Sequence, residues 1–175
     1  MTTERVVRLV FLTLVFFSAF SANAASKNQI DNPGFESGYT HPPYFYWPMA
    51  TKVSVDTSEK AEGAQSLLVK VPTVDPAILH EPHVDVKEGL SVKKGAAYTF
   101  SIWMKAKKER WVRLEARDEE KPMWAFSEHT VGPTWKEYKL EFVSPETNNK
   151  DFFLLIELGK DAVDTWLDKL SFVEK

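Results

Sequence analysis

Tyr98-Thr99-Phe100-Ser101-Ile102-Trp103-Met104-Lys105 decides the fold class. Tyr98, Phe100, Ile102 and Met104 fall on every second position, the period of a β-strand with one buried face. Trp111-Val112-Arg113-Leu114-Glu115-Ala116-Arg117 alternates in the same way, with Val112, Leu114 and Ala116 on the apolar side. Tyr138-Lys139-Leu140-Glu141-Phe142 repeats the pattern, and Phe152 to Leu158 and Trp166 to Val173 read as two closing strands. Upstream, Lys52 to Asp56, Gln65 to Val71 and Ile78 to Val86 are further strand candidates. No helical stripe longer than two turns interrupts them. Pro33-Gly34, Glu62-Gly63, Lys94-Gly95, Gly132-Pro133 and Asn148-Asn149 supply turns between the runs. Short strands punctuated in this way predict an all-β fold, an antiparallel sandwich. Eight or more of them in about 150 residues favour a jelly-roll β-sandwich of two antiparallel sheets over a smaller immunoglobulin-like one.

Composition narrows the function. The chain has 22 basic and 25 acidic side chains, a formal charge of −3, so nucleic-acid binding through bulk positive charge is excluded. With no cysteine, a disulfide scaffold, a thiolate zinc site and a cysteine nucleophile are excluded as well. Residues 1–24 read as a secretory signal peptide: Arg5 and Arg8 precede the apolar run Leu9 to Phe20, and Ala22-Asn23-Ala24 offers a small-residue cleavage pattern. That run falls well short of the roughly 20 residues a spanning helix needs, so cleavage after Ala24 is expected, with no membrane association afterwards. The remaining residues 25–175 fit one domain, secreted or periplasmic, with no linker and no internal repeat.

Several aromatic residues break the inside–outside rule of a half-buried strand. Trp103 is in phase with Thr99, Ser101 and Lys105, and Trp111 with Arg113, Glu115 and Arg117. These two strands follow one another and are expected to pair. Trp124 and Phe126 are in phase with Glu128 on the next segment. A sheet face that mixes tryptophan with Arg, Lys and Glu suits a sugar, since flat aromatics cover the apolar C–H face and charged side chains bond the hydroxyl edge. Packing under a loop or against the other sheet is the alternative for each tryptophan. Tyr39 to Met49 holds a second aromatic cluster broken by Pro42, Pro43 and Pro48, so it is not a central strand. It forms either a lip over a groove or a plug at one end of the sandwich. Trp135 and Trp166, beside turns, are expected to pack in the core.

Read in order, these segments resemble the carbohydrate-binding modules of families 4 and 9, within the galactose-binding-like jelly-roll group. Asn32-Pro33-Gly34-Phe35-Glu36-Ser37-Gly38 is similar to the family's opening Asn-x-Gly-Phe-Glu-x-Gly, and Glu62-Gly63-Ala64-Gln65-Ser66-Leu67 to its Gly-x-x-Ser-Leu strand entry. Gly95-Ala96-Ala97-Tyr98 through Trp103-Met104-Lys105-Ala106 resembles its Gly-x-x-Tyr strand ending in Trp-x-Lys-Ala. Trp135-Lys136-Glu137-Tyr138 with Phe142, and Trp166 to Phe172, resemble its last two blocks. The resemblance implies a non-catalytic module that binds a polysaccharide chain, of β-glucan or xylan type, in a groove on the concave sheet. Trp103, Trp111 and Trp124 are then the expected stacking residues. Lys105, Arg113, Glu115, Arg117 and Glu157 are expected to bond hydroxyls, with His80 and His83 at the margin. It also implies a structural calcium ion (Ca2+) between the chain ends, with Glu36 and Asp168 on the matching positions and main-chain oxygens near Gly63 to Ser66 as further ligands. Lys169 stands where the family has a second Asp. By alternation Asp168 is expected on the inward face of Leu170 and Phe172, needing a metal or hydrogen-bonding turn amides.

No motif of a nucleophilic elbow, a zinc protease or a phosphate-binding loop is present. His80 and His83 are three apart and face opposite sides of a strand, and Ser127 with His129 lacks an orienting Asp. The alternatives to glycan binding are a module on the same fold that binds other exported proteins or builds the cell envelope, and a hydrolase acting on glycosyl bonds through Glu115 and Glu157.

Overall fold

A computed structural model of the protein describes residues 26–38, 44–47, 52–71, 82–87, 89–120, 123–148 and 150–175, with the backbone alone for 44–47. The leader expected over 1–24, His80, residues 78–81 of the Ile78–Val86 run, and residues 39–43 and 48–49 of the aromatic cluster lie outside them. No helix occurs among the described residues. Ten strands do: β1 (Tyr44–Trp47), β2 (Lys52–Asp56), β3 (Ser66–Lys70), β4 (His83–Val86), β5 (Ala97–Ala106), β6 (Arg110–Asp118), β7 (Ala125–Val131), β8 (Lys136–Val143), β9 (Phe152–Glu157) and β10 (Thr165–Glu174). They form two antiparallel five-stranded sheets, in the orders β1-β4-β9-β6-β7 and β2-β3-β10-β5-β8. Tyr44–Trp47 is an edge strand, the one sheet position where neighbouring prolines are tolerated.

The alternation read from the sequence builds the space between the sheets. Phe100, Ile102 and Met104 of β5 meet Val112, Leu114 and Ala116 of β6 in one buried core. An aromatic stack runs through it: Tyr98 lies 5.1 Å from Phe172, and Phe152 lies 5.6 Å from Phe172 and 6.1 Å from Phe142. Burying each such ring contributes about 2–3 kcal/mol, which fixes the two sheets face to face.

Two expectations about the strands need correction. β5 and β6 do not pair: β5 lies between β10 and β8, and β6 between β9 and β7. Their connection, Lys107-Lys108-Glu109, lacks the Gly or Asn that a tight hairpin favours. It arches from one sheet to the other instead, held by the Lys107 N–H donating to the Asp164 carbonyl at 2.9 Å. Asp168 also does not follow simple alternation. Lys169 has a positive φ of 49°, and the register of β10 on β5 shifts between Asp168 and Ser171. That bulge moves the phase by one, so Leu167, Leu170 and Phe172 all enter the core while Asp168 is in register with Trp103 on the outer side.

Candidate functional site

The outer face of the β1-β4-β9-β6-β7 sheet follows from register. His83, Glu157, Arg113 and Glu128 form one row across β4, β9, β6 and β7. Asp85, Leu155, Glu115 and Phe126 form the next. Trp111 pairs with Thr130 at one side of these rows, and Arg117 with Phe153 at the other.

Arg113 organises the centre. Its Nε donates to Glu115 Oε1 at 2.6 Å, its Nη2 lies 2.5 Å from Glu157 Oε2 and its Nη1 3.8 Å from Glu128 Oε1. The same guanidinium lies 5.3 Å from the Trp111 ring and 5.8 Å from the Phe126 ring, so it is framed by two aromatics. Burial pulls the group down, but Glu157 and Glu115 outweigh it and hold Arg113 above its ordinary value. Glu115 is only 1% exposed although it points away from the core, because Arg113 and Arg117 flank it. Arg117 Nη1 lies 3.3 Å from Glu115 Oε2. Asp85 is likewise buried, 3.6 Å from both His83 Nε2 and Lys87 Nζ, and burial raises its carboxyl against the pull of those two groups. Lys87 also donates to Glu119 at 2.9 Å and sits 4.8 Å over the Phe153 ring. The surface thus offers aromatic planes beside oriented donors and acceptors, which is what holds a ring with an apolar face and a polar rim.

The second region of interest lies where the two ends of the described chain meet. Asp168 Oδ2 accepts from the Ala61 and Glu62 amides at 2.8 and 3.0 Å, and Oδ1 from the Lys169 amide at 2.8 Å. Glu36 Oε1 accepts from the Ala64 amide at 3.0 Å. Both carboxylates flank Gly34, and a cavity of about 510 Å³ between them is also bordered by Asn32, Glu62 and Gly63. Burial raises the Asp168 carboxyl despite the amides, and the neighbouring Glu36 charge raises it further.

A family model described as a carbohydrate binding domain, CBM_4_9, matches residues 27–164. The chain belongs to this family. As a carbohydrate-binding domain it is a non-catalytic binding module. A search of the curated proteins returned no match. Among solved structures it is similar to an arabinose-bound GH51 α-L-arabinofuranosidase at 12% identity and a TM-score of 0.68, over 84% of this chain but only 26% of that one. It is similar to the CBM22-1 xylan-binding domain from Paenibacillus barcinonensis Xyn10C at 18% identity and a TM-score of 0.60, over 87% of this chain and 97% of that one. The N-terminal cellulose-binding domain of Cellulomonas fimi β-1,4-glucanase C gives 17% identity and a TM-score of 0.59, over 75% and 88%. At these identities the likeness establishes the shared β-sandwich.

On this carbohydrate-binding domain the expected ligand residues divide. His83, Trp111, Arg113, Glu115, Arg117 and Glu157 share one outer face. Trp103 and Lys105 do not join them, since β5 belongs to the other sheet. There Lys105 donates to Glu59 at 2.6 Å and sits 5.6 Å over Trp166, while Lys169 sits 5.3 Å over Trp103. Trp166, expected in the core, is in register with Lys105 on this outer side, and its Nε1 donates to Asp56 at 2.8 Å. Trp124 is also displaced from the groove: it precedes β7, and its ring stacks on core Phe152 at 5.2 Å. Asp85 and Lys87 of this face were not singled out in the sequence, and Phe126 and Glu128, noted there for their phase, were not carried into the expected ligand set. His83-Val84-Asp85-Val86 alternates, so the phase of His83 was enough to find Asp85.

Proposed function

We propose that the outer face of the β1-β4-β9-β6-β7 sheet binds a polysaccharide chain of β-glucan or xylan type, in a protein exported through the leader at residues 1–24. One observation carries the reading: Arg113 is held between Trp111 and Phe126 while bonded to Glu115 and Glu157 on an outward-facing surface. The rings supply stacking planes, and the locked guanidinium and carboxylates supply paired bonds to ring hydroxyls. The ligands for which the two binding-domain neighbours are named, xylan and cellulose, support the same class. Affinity electrophoresis through gels with β-glucan, xylan, mannan or pectin tests it. Retardation by a neutral polymer is expected, and Trp111→Ala weakens it by about 1–3 kcal/mol, a factor of about 5 to 150. Trp103→Ala, on the other sheet, leaves it unchanged. Export is tested by fractionation and by N-terminal sequencing, which should start at Ala25.

A calcium ion between Glu36 and Asp168 is part of the proposal. The absent Gly63 side chain is the cradle for Glu36, since a Cβ there would fall 2.0 Å from Glu36 Oε1. The Glu36 charge raises the Asp168 carboxyl, a repulsion that a cation between the two would relieve. No group of three or more His or acidic side chains converges among the described residues, so main-chain oxygens would complete the shell, as calcium permits. A higher melting temperature in calcium than in EDTA is expected, with the difference removed by Glu36→Gln.

A further inference from the structure

The cavity between Glu36 and Asp168 is bordered by two further charged residues, Glu62 and Lys169, whose side chains pair with one another. Neighbouring residues of a regular strand point to opposite faces. The bulge after Asp168 and the left-handed φ of 49° at Lys169 instead bring both residues to the border of one cavity. The main chain at Glu62 is fixed there as well, its amide donating to Asp168 Oδ2 at 3.0 Å. A change of side-chain rotamer, not of backbone, therefore separates the Glu62 carboxylate from the site of Glu36 and Asp168. Lys169 holds it aside.

The hold is a weak one. Lys169 is 39% and Glu62 66% exposed, so their attraction is screened by solvent and salt. Lys169 also has a second partner, since its Nζ lies 5.3 Å over the Trp103 ring, and that ring stays with the ammonium when Glu62 leaves. Glu59, the other acid of the same turn, accepts from Lys105 at 2.6 Å and does not border the cavity. Glu62 is thus the acid of this turn placed to serve the site.

Resting on the calcium reading above, we infer that Glu62 is a further carboxylate ligand of this site and that Lys169 withholds it, so that the cation is bound in exchange for the Glu62–Lys169 ion pair. Calcium takes roughly six to eight oxygens, and its affinity rises with the number of charged ligands, so a third carboxylate strengthens a site that otherwise has two. Lys169 sets the affinity without being a ligand, by competing for one.

Calorimetric titration of the protein with calcium chloride in low-salt buffer tests this, with melting curves in EDTA showing that each variant is folded. Lys169→Met keeps a long side chain beside Trp103 and is expected to bind calcium about two- to fivefold more tightly than the wild type, the range that an exposed ion pair can hold back. Lys169→Gln repeats the test with a polar side chain. The gain should shrink as salt is added. It should vanish when Glu62→Gln is combined with Lys169→Met, because no carboxylate is then left to release. Lys175→Met removes the same charge just past β10, beside Glu141, and should match the wild type. Unchanged affinity in both Lys169 variants overturns the inference and leaves the Glu36–Asp168 site standing. A gain that persists in the double variant, or that Lys175→Met reproduces, also overturns it, since Lys169 then acts through its charge alone. Absence of calcium binding in the wild type and in both Lys169 variants removes the inference together with the calcium reading on which it rests.

Discussion

Gly63 shows how one residue shapes its surroundings. Its φ of +70° lies in the left-handed region, and an added Cβ would fall 2.0 Å from Glu36 Oε1, so both conformation and space require glycine. Gly63→Ala is expected to cost about 1–3 kcal/mol through strain and displacement of Glu36, read as a lower melting temperature. His129 carries a pH effect. It faces inward on β7, its Nε2 2.9 Å from Ser127 Oγ and its ring edge-on to Tyr138, and burial lowers its imidazole below the ordinary 6.5. The unfolded chain therefore takes up the proton first as pH falls. The stability contributed is complete above pH 6.5 and is lost as pH drops through the folded value. Melting temperatures should fall on that side for the wild type, and His129→Gln should flatten the decline.

At the scale of the element, the entry to β7 is diagnostic. Trp124 has the phase of a groove residue, yet its amide donates to the Ala116 carbonyl at 2.9 Å and its ring lies on Phe152. Trp124→Ala should destabilise by about 2–4 kcal/mol in denaturant titration, while the folded variant keeps its glycan affinity. β5, β6, β8 and β10 were legible in the sequence because a two-residue period with large apolar side chains has few other readings, and β9 because its short apolar run is bounded by turn residues. Which sheet each strand joins was not legible. Three residues at 107–109 serve a hairpin or an arch, and the choice rests on distant partners such as Asp164. The shift of Asp168 was hidden because Lys169 takes a left-handed conformation that glycine would have signalled. In Phe152–Glu157 a continuous apolar run masked the period, so nothing marked Phe153 and Leu155 as the floor of the outer face. The candidate face was half legible for the same reason: alternation within β6 gathered Trp111, Arg113, Glu115 and Arg117 on one side, but Trp103 and Lys105, expected beside them, lie on the other sheet.

Across the whole molecule the two sheets divide the work. One carries the ion-paired aromatic face, and the other fastens the chain ends. Residues 28–36 run against the bulged part of β10: the Asn28 side chain donates to the Leu170 carbonyl at 3.0 Å and accepts from the Phe172 amide at 2.8 Å, and the Leu170 amide donates to the Pro33 carbonyl at 2.9 Å. Asp168 ties the 61–64 turn to the same place through the two bonds it accepts from the Ala61 and Glu62 amides. These contacts join segments more than a hundred residues apart, so they fasten the assembled sandwich across its two ends. Asp168→Asn keeps the volume but turns an amide donor toward main-chain N–H groups, leaving at least one of them buried without an acceptor. A loss of about 3 kcal/mol is expected, which for a domain of this size lowers the melting temperature by about 10 °C. Below the transition, glycan affinity should match the wild type, because Asp168 lies on the sheet opposite Arg113 and Trp111. Trp111→Ala should show the converse, weakened binding with a melting temperature little changed. Measuring both variants by calorimetric melting and by oligosaccharide titration separates the two roles, and a fall in affinity for Asp168→Asn at full folding would show that the sheets are coupled.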